Sequence, residues 1–236
     1  MNGRTGRQSC IVLAGGLGTR LREAVADRPK CLAPVGTRPF LEIQIDALRA
    51  AGVDDIVLSL GYMAEQVIDA VQQMPTREHV RHVVEPSLLG TGGAIAFAMD
   101  SLGLDEALVA NGDTYLDGDI GGMLAALDRD GGELLRMAVV QVPDRGRFGG
   151  VQTDPDGRVR GFLEKGAQGP GTINAGLYRL CRSALPAAGS SAYSLESAVL
   201  PALVARGAVT ARAIEGSFID IGVPADYFQF CARHGG

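Results

Sequence analysis

The sequence predicts an α/β protein: a Rossmann-like, three-layer α/β/α arrangement around a mixed, mostly parallel central sheet. Three observations point there. Short apolar runs alternate with helix-length amphipathic stretches through the first half. A glycine loop, Gly15-Gly-Leu-Gly18, directly follows the first apolar run. Strand-like runs then crowd the second half around the turn Asp154-Pro-Asp-Gly157, which adds a small β extension.

The elements follow in order. Residues 9–14 read as a strand, with the glycines as the loop at its carboxyl end. A helix over 39–51 carries Phe40, Leu41, Ile45 and Leu48 on one face and closes at Ala51-Gly52. Residues 55–60 form a buried-type strand, 63–73 a helix and 80–84 a strand. A helix over 91–101 precedes a strand over 107–110. In the second half, strands are expected at 138–142, 148–153, 158–163 and 173–180. Ser194 caps a helix over 195–206, whose course past Pro201 stays open. Short strands at 209–213 and 218–219 lead to a helix over 224–232, opened by Pro224 at a favoured first-turn position. With no repeat, linker or low-complexity tract, a single domain over 1–236 is expected.

Composition narrows the partners. The chain has 236 residues, 46% of them hydrophobic, enough for a substantial core. Its net charge of −5 argues against nucleic acid and membrane surfaces, which attract basic patches. No apolar run approaches the roughly 18 residues of a membrane span. The polar start, Met1 to Gln8, lacks the apolar middle of a signal peptide, so a cytoplasmic location is expected. Cys10, Cys31, Cys181 and Cys231 are scattered and read as reduced thiols rather than disulfides or zinc ligands. His79, His82 and His234 lack metal-ligand spacing, and the first two are expected at the surface.

In parallel sheets ligands bind beyond the carboxyl ends of the strands, which puts the Gly15 loop, Glu85 and Asp113 along one edge. Glycines let several backbone N–H groups converge on an anion, and Arg20 and Lys30 add two positive charges beside the loop. A dinucleotide fingerprint would need a third glycine, where Thr19-Arg20-Leu21 stands, and a Walker loop would need Gly-Lys-Ser/Thr. Asn111-Gly-Asp113 ends the fourth strand. It reads either as a turn cap or as the place of a magnesium ligand. A second carboxylate between apolar residues, Asp220, favours the metal, because burying it unpaired is costly. Glu85-Pro86 precedes Gly90-Thr-Gly-Gly-Ala94 at a helix start where a flat ring can approach. A carboxylate there can accept from the adjacent N1–H and N2–H of guanine, a pair adenine lacks. Glu164-Lys165 and Asn174-Ala-Gly176 flank strands, and each is too common to carry meaning alone.

Taken together, Leu13-Ala-Gly-Gly-Leu-Gly-Thr-Arg-Leu21 with Pro29-Lys30, Gly90-Thr-Gly-Gly-Ala94, Asn111-Gly-Asp113, Glu164-Lys165, Asn174-Ala-Gly176 and Ile219-Asp-Ile-Gly222 resemble, in order, the motifs of the sugar-1-phosphate nucleotidylyltransferases. The resemblance covers about Cys10 to Phe230. It is narrowest toward members that transfer GMP to a manno-heptose 1-phosphate, through Arg20 to Lys30, Ala33-Pro-Val-Gly36, Pro39-Phe-Leu41, Leu58-Ser-Leu-Gly-Tyr62 and Leu89-Gly-Thr-Gly-Gly93. Glucose- and deoxyhexose-specific relatives carry Pro-Leu-Thr where this chain has Glu23-Ala-Val-Ala26. Many relatives also have proline where it has Gly166.

The resemblance implies the nucleotidyltransferase fold, with a nucleotide-binding half near 9–130 and a sugar-phosphate half near 131–236. It implies GTP and a sugar 1-phosphate as substrates, GDP-heptose for a surface glycan such as capsule or lipopolysaccharide as product, and Mg²⁺ as cofactor. Mannose 1-phosphate is the alternative sugar, and a non-catalytic nucleotide-sugar sensor would have lost the charged set. Arg20 and Lys30 would be catalytic. Leu13, Ala14, Gly15, Gly16, Gly18, Thr19, Glu85, Gly90 and Thr91 would bind nucleotide. Asn111, Gly149, Glu164, Lys165 and Asn174 would bind the sugar phosphate, and Asp113 and Asp220 the metal. Relatives often pair through exposed helices, which leaves a homodimer open.

Overall fold

The computed structural model describes residues 8–18, 21, 25, 27–187 and 192–235. In chain order the elements are β1 (Ser9–Leu13), β2 (Pro34–Val35), β3 (Arg38–Pro39), α1 (Phe40–Ala50), β4 (Asp55–Leu60), α2 (Ala64–Gln72), β5 (Val80–Val84), α3 (Gly90–Leu102), β6 (Glu106–Asn111), β7 (Thr114–Gly118), α4 (Gly121–Leu124), β8 (Leu135–Val142), β9 (Gly150–Thr153), β10 (Val159–Leu163), β11 (Gly171–Cys181), α5 (Leu200–Ala205), β12 (Val209–Ala213), β13 (Gly216–Asp220) and α6 (Pro224–His234). They form two compact units. The first comprises Met1–Leu88, Ala110–Tyr115 and Ile219–Gly236, the second Leu89–Val109 and Leu116–Phe218.

In the first unit β1, β4 and β5 run parallel and adjacent, with Val12 opposite Leu58 and Leu58 opposite His82. Every residue of β4 is buried, as expected of a strand covered on both faces. At its start Asp55 is fully buried. It is held by Nε and Nη2 of Arg81, at 2.9 and 2.5 Å, and by the Ser9 hydroxyl at 2.8 Å, so its charge is paired. The face expected for α1 is the face it buries: Phe40, Leu41, Ile45 and Leu48. Gln44 is buried in the same stripe, a polar exception with a function described below. Phe40 meets Phe230 of α6 edge-on, with centroids 5.2 Å apart, in a core cluster with Leu21, Val35, Ile219, Ile221 and Tyr227.

In the second unit the strand order is β12-β8-β11-β6, with β12 parallel and β11 antiparallel to β8. Of the strand pairs described in the two units, β1–β4, β4–β5 and β8–β12 are parallel and β8–β11 is antiparallel, so the sheet is mixed and mostly parallel, as the sequence predicts. β9 and β10 form the β extension, joined by the expected turn. Asp154 Oδ1 accepts from the N–H of Asp156 and of Arg158, and Gly157 has φ +80°. Ser194 caps its helix, accepting from the N–H of Glu196 and Ser197 at 3.1 Å. The first turn, Leu195–Val199, is π-helical, and α5 starts only at Leu200, with Pro201 in its first turn. The widened turn precedes the residue that lacks an N–H to donate.

The sequence reading missed the β2–β3 ladder, β7 and α4, which are short and carry Pro or Gly. β8 begins three residues earlier than the apolar run suggests. Arg136 breaks that run but is neutralised by Glu133, at 2.9 and 2.6 Å.

Candidate active site

The first unit gathers the predicted metal residues and, apart from Gly90 and Thr91, the described nucleotide residues near strand ends. β1 ends at Leu13, whose carbonyl accepts from the N–H of Gly112 at 3.1 Å, while the Ala14 N–H donates to Ser59 at 2.9 Å. The glycine loop is thus tied on one side to β4 and on the other to the turn after β6. Gly15 must be glycine for packing: a Cβ there would lie 2.7 Å from Gly61 N and 3.0 Å from Glu85 Oε1. Gly18 needs it for conformation, at φ +58°. Gly16 has neither reason. Its φ is not positive, and an added Cβ would meet no protein atom within 4 Å. A glycine that packing and conformation leave free is one whose backbone a ligand can approach. Thr19 and Arg20 lie outside the described residues.

Glu85 follows β5, with its N–H donating to Leu60 at 2.9 Å. Its Oε1 occupies the place a side chain at Gly61 would take: a Cβ there would come within 2.4 Å. The carboxylate therefore stands beside Gly15 because both neighbouring positions are glycine.

Lys30 opens a 3-10 turn, Lys30–Leu32. Its ammonium donates to Asp113 Oδ2 at 2.5 Å and lies 4.0 Å from Asp220 Oδ1. The three side chains are 13%, 31% and 22% exposed, so the trio is shielded from bulk water without being sealed off. Asp113 Oδ1 accepts from Thr114 Oγ1 at 3.3 Å, and Asp220 Oδ1 from the Gly222 N–H at 2.7 Å. Gly222 leaves room for the group: a Cβ there would come within 2.5 Å of Asp220 Oδ1 and 2.8 Å of Lys30 Nζ. Next to Lys30, burial above all pushes the Cys31 thiol up to about 12, so it stays protonated and supplies no thiolate.

Gln44 fixes the turn that carries Asp113. Its amide Nε2 donates to the carbonyls of Asn111 at 2.8 Å and Thr114 at 2.7 Å, on either side of Gly112-Asp113. Sequence reasoning missed this residue, and the available signal was a glutamine inside the apolar stripe of α1. Asn111 itself ends β6, and its backbone carbonyl is the group in use here.

Two carboxylates suit a hard cation that keeps waters and binds substrate phosphates as its other ligands. A cation already stands against them, the Lys30 ammonium. Among the described residues no group of three or more His, Cys, Asp and Glu could hold a metal. The donor chemistry therefore fits Mg²⁺ held jointly with phosphate oxygens rather than by the protein alone.

The second unit holds the rest. The Gly90-Thr-Gly-Gly93 run does meet a flat ring, and the ring is the chain's own Tyr193. An added Cβ at Gly92 would come within 2.4 Å of the Tyr193 ring, and one at Gly90, where φ is +71°, within 2.5 Å of its carbonyl. The Thr91 hydroxyl donates to Glu196 Oε2 at 2.7 Å and accepts from the Leu195 N–H at 2.8 Å. Sequence reasoning did not single out Tyr193 or Glu196.

Gly149, at φ +78°, packs on the end of β10, where a Cβ would lie 2.6 Å from the Leu163 carbonyl and 3.7 Å from Lys165 Cγ. Glu164 and Lys165 follow β10 and are exposed. Asn174 sits at a bulge: β11 advances from Asn174 to Tyr178 while β8 advances only from Val139 to Met137. Its side chain fastens that bulge, donating to the Tyr178 hydroxyl at 2.6 Å and accepting from the Gly176 N–H at 3.0 Å.

Comparison with known proteins identifies the family. The model of the nucleotidyl transferase family matches residues 9–234. A D-glycero-alpha-D-manno-heptose 1-phosphate guanylyltransferase of Campylobacter jejuni is 34% identical over 93% of this chain and 97% of its own length. A mannose-1-phosphate guanyltransferase of Aspergillus fumigatus is 33% identical over 92% of the chain, which spans only 61% of that longer protein. Crystal structures of HddC from Yersinia pseudotuberculosis, one of them complexed with GMP-PN, superpose with a TM-score of 0.84 at 35% identity, covering 96% of this chain and 99% of theirs. The chain belongs to the nucleotidyl transferase family and is a nucleotidyltransferase.

Proposed function

We propose that the protein transfers GMP from GTP to D-glycero-α-D-manno-heptose 1-phosphate, forming GDP-heptose for a bacterial surface glycan and releasing pyrophosphate. The single observation that carries the reading is Lys30 held against Asp113 and Asp220 beside the glycine loop. Similarity to the heptose 1-phosphate enzyme along nearly the full length of both chains, and to a solved structure complexed with GMP-PN, supports the substrates.

A phosphate oxygen of the sugar attacks the α-phosphorus of GTP. The bond from that phosphorus to the α–β bridging oxygen breaks, and pyrophosphate leaves with the electron pair. The nucleophile is already an anion, so no general base is required. The barrier is repulsion between two anions, and the chain lowers it by charge and positioning. Backbone N–H groups of Gly15, Gly16 and Gly18 cradle the triphosphate, with Thr19 completing the cradle and Arg20 stabilising the departing pyrophosphate. Lys30 neutralises the α-phosphate. Leu13 and Ala14 anchor the loop, and Glu85 accepts from the guanine edge with Gly90 and Thr91 as the further nucleotide contacts. Asp113 and Asp220 would hold Mg²⁺, which would supply positive charge to offset that of the reacting phosphates. Lys165 holds the sugar phosphate, while Asn111, Gly149, Glu164 and Asn174 shape the sugar's surroundings. The reading places the reaction in the cytoplasm and leaves a homodimer to be measured by sedimentation.

The test is a substrate panel. With Mg²⁺, each of GTP, ATP, UTP and dTTP is paired with heptose 1-phosphate, mannose 1-phosphate or glucose 1-phosphate, and pyrophosphate is measured. GTP with heptose 1-phosphate should give the highest kcat/KM. A clear preference for mannose 1-phosphate would move the assignment to the second reading, favoured by the several mannose-1-phosphate guanylyltransferases that are 32–34% identical to this chain. Absence of pyrophosphate from every pair would overturn the assignment.

A further inference from the structure

We infer that Tyr227 of α6 is a positioning residue for the transfer: its hydroxyl holds the backbone that carries Lys30, and so sets where the ammonium stands relative to the reacting phosphates. The inference rests on the role proposed above for Lys30 and adds the residue through which the fold fixes it.

Lys30 stands on a segment with little regular structure of its own. Its 3-10 turn is three residues long, closed by the N–H of Leu32 on the Pro29 carbonyl at 2.9 Å and that of Ala33 on the Lys30 carbonyl at 3.0 Å. Hydrogen-bond geometry in such turns is poor, so the turn needs anchoring from outside. Beyond it the chain enters the β2–β3 ladder, only two residues a side, in which Pro34 stands opposite Pro39. Pro39 has no N–H to offer, and the Pro34 carbonyl takes its donors from α6. The Tyr227 hydroxyl donates to it at 2.5 Å, and the Cys231 thiol adds a weaker donation at 3.6 Å. Tyr227 is buried, and burial above all raises the pKa of its phenol, so it remains a donor. The same helix also reaches the other two members of the trio. It starts at Pro224, just past the Asp220–Gly222 turn, and its Phe230 meets the ring of Tyr115, two residues after Asp113, with centroids 5.1 Å apart. One helix therefore touches the segments that carry Lys30, Asp113 and Asp220, and Tyr227 is its polar bond to the first.

Tyr227→Phe separates the two roles of the side chain: the ring stays in the core cluster with Phe40 and Ile221, and the bond to Pro34 is lost. Rates are measured with Mg²⁺ and the substrate pair that gives wild type its highest kcat/KM, and thermal melting verifies that each variant is folded. The kcat should fall about tenfold, as expected when a reacting group is slightly misplaced. Both KM values should stay within about twofold of wild type, because the interaction is made in the transition state. A purely structural role would lower the Tm and leave kcat intact. The same substitution is then made in Lys30→Ala. There it should change the residual kcat by less than about twofold, because the group it positions is gone. An unchanged kcat in Tyr227→Phe, a loss carried by KM, or an equal loss in both backgrounds overturns the positioning role and leaves that of Lys30 standing. A wild-type rate in Lys30→Ala, or no transfer by wild type with any pair, overturns the role of Lys30 and this inference with it.

Discussion

The backbone N–H of Ile221 donates to the carbonyl of Asp113 at 2.9 Å, so the two acidic loops of the site are bonded to each other through the main chain. Asp220 is the residue just before Ile221. The spacing of the two carboxylates is therefore set by backbone, and Lys30 has only to bridge a gap that already exists. Removing a side chain here should change chemistry more than fold.

Gln44 offers a direct check of that division of labour. Gln44→Met keeps the volume of the side chain and removes both bonds to the Asn111–Thr114 turn. It should cost about 1–3 kcal/mol of stability, because one buried and one part-buried carbonyl lose their donor. The Mg²⁺ concentration for half-maximal rate should rise several-fold, with the KM for sugar 1-phosphate little changed. An unchanged Mg²⁺ titration would remove Gln44 from the support of Asp113.

Gly92→Ala should be strongly destabilising, because its methyl would fall within 2.4 Å of a rigid aromatic ring. Tyr193→Ala in the same chain opens that space. Denaturant unfolding of both single variants and the double variant measures the coupling, expected at about 1–3 kcal/mol. Simple additivity would show that the ring does not constrain the glycine run.

Glu85→Gln tests base reading. A carboxylate accepts from both donors of the guanine edge, whereas an amide presents one acceptor and one donor. Preference for GTP over ATP should fall by roughly tenfold or more, with the Tm almost unchanged. If the ratio of kcat/KM values stays at the wild-type level, Glu85 does not read the base.

Alkali should weaken the fold in a defined window. Burial pushes the Cys10 and Cys31 thiols up to about 12 from 9.0. The unfolded chain releases these protons from about pH 9, while the folded chain keeps them to about pH 12. Unfolding is therefore favoured increasingly as pH rises across that interval, and the thiols contribute no slope below it. Urea melts from pH 7 to pH 10 should show the loss setting in near pH 9, and Cys10→Ala with Cys31→Ala should flatten it. A loss that is the same with and without the two thiols would contradict the assignment.

The fold was legible because its signals are periodic. The stripe of Phe40, Leu41, Ile45 and Leu48 and the continuous apolar run of β4 are consequences of burial on one face or on two. The charged trio was legible as residues, but its arrangement was not. Lys30 and Asp113 are 83 residues apart in sequence, and no local pattern announces that the fold brings them together. Gln44 and Tyr193 escaped notice for a related reason: each acts on backbone or on glycine, which leaves no chemical signature in the partner. The glycine run of α3 shows the reverse problem. A pattern read as room for a ligand's ring is occupied at Gly92 by the ring of Tyr193.

The central claim is that the Lys30–Asp113–Asp220 group performs nucleotidyl transfer, and single-turnover transfer of label from α-labelled GTP to heptose 1-phosphate tests it most directly. Wild type should convert the label to GDP-heptose in the presence of Mg²⁺. Lys30→Ala, Asp113→Asn and Asp220→Asn, each folded by circular dichroism, should lose about a hundredfold or more of that rate, the scale seen when a group that stabilises transition-state charge is removed. Transfer at the wild-type rate by any of the three variants would contradict the account.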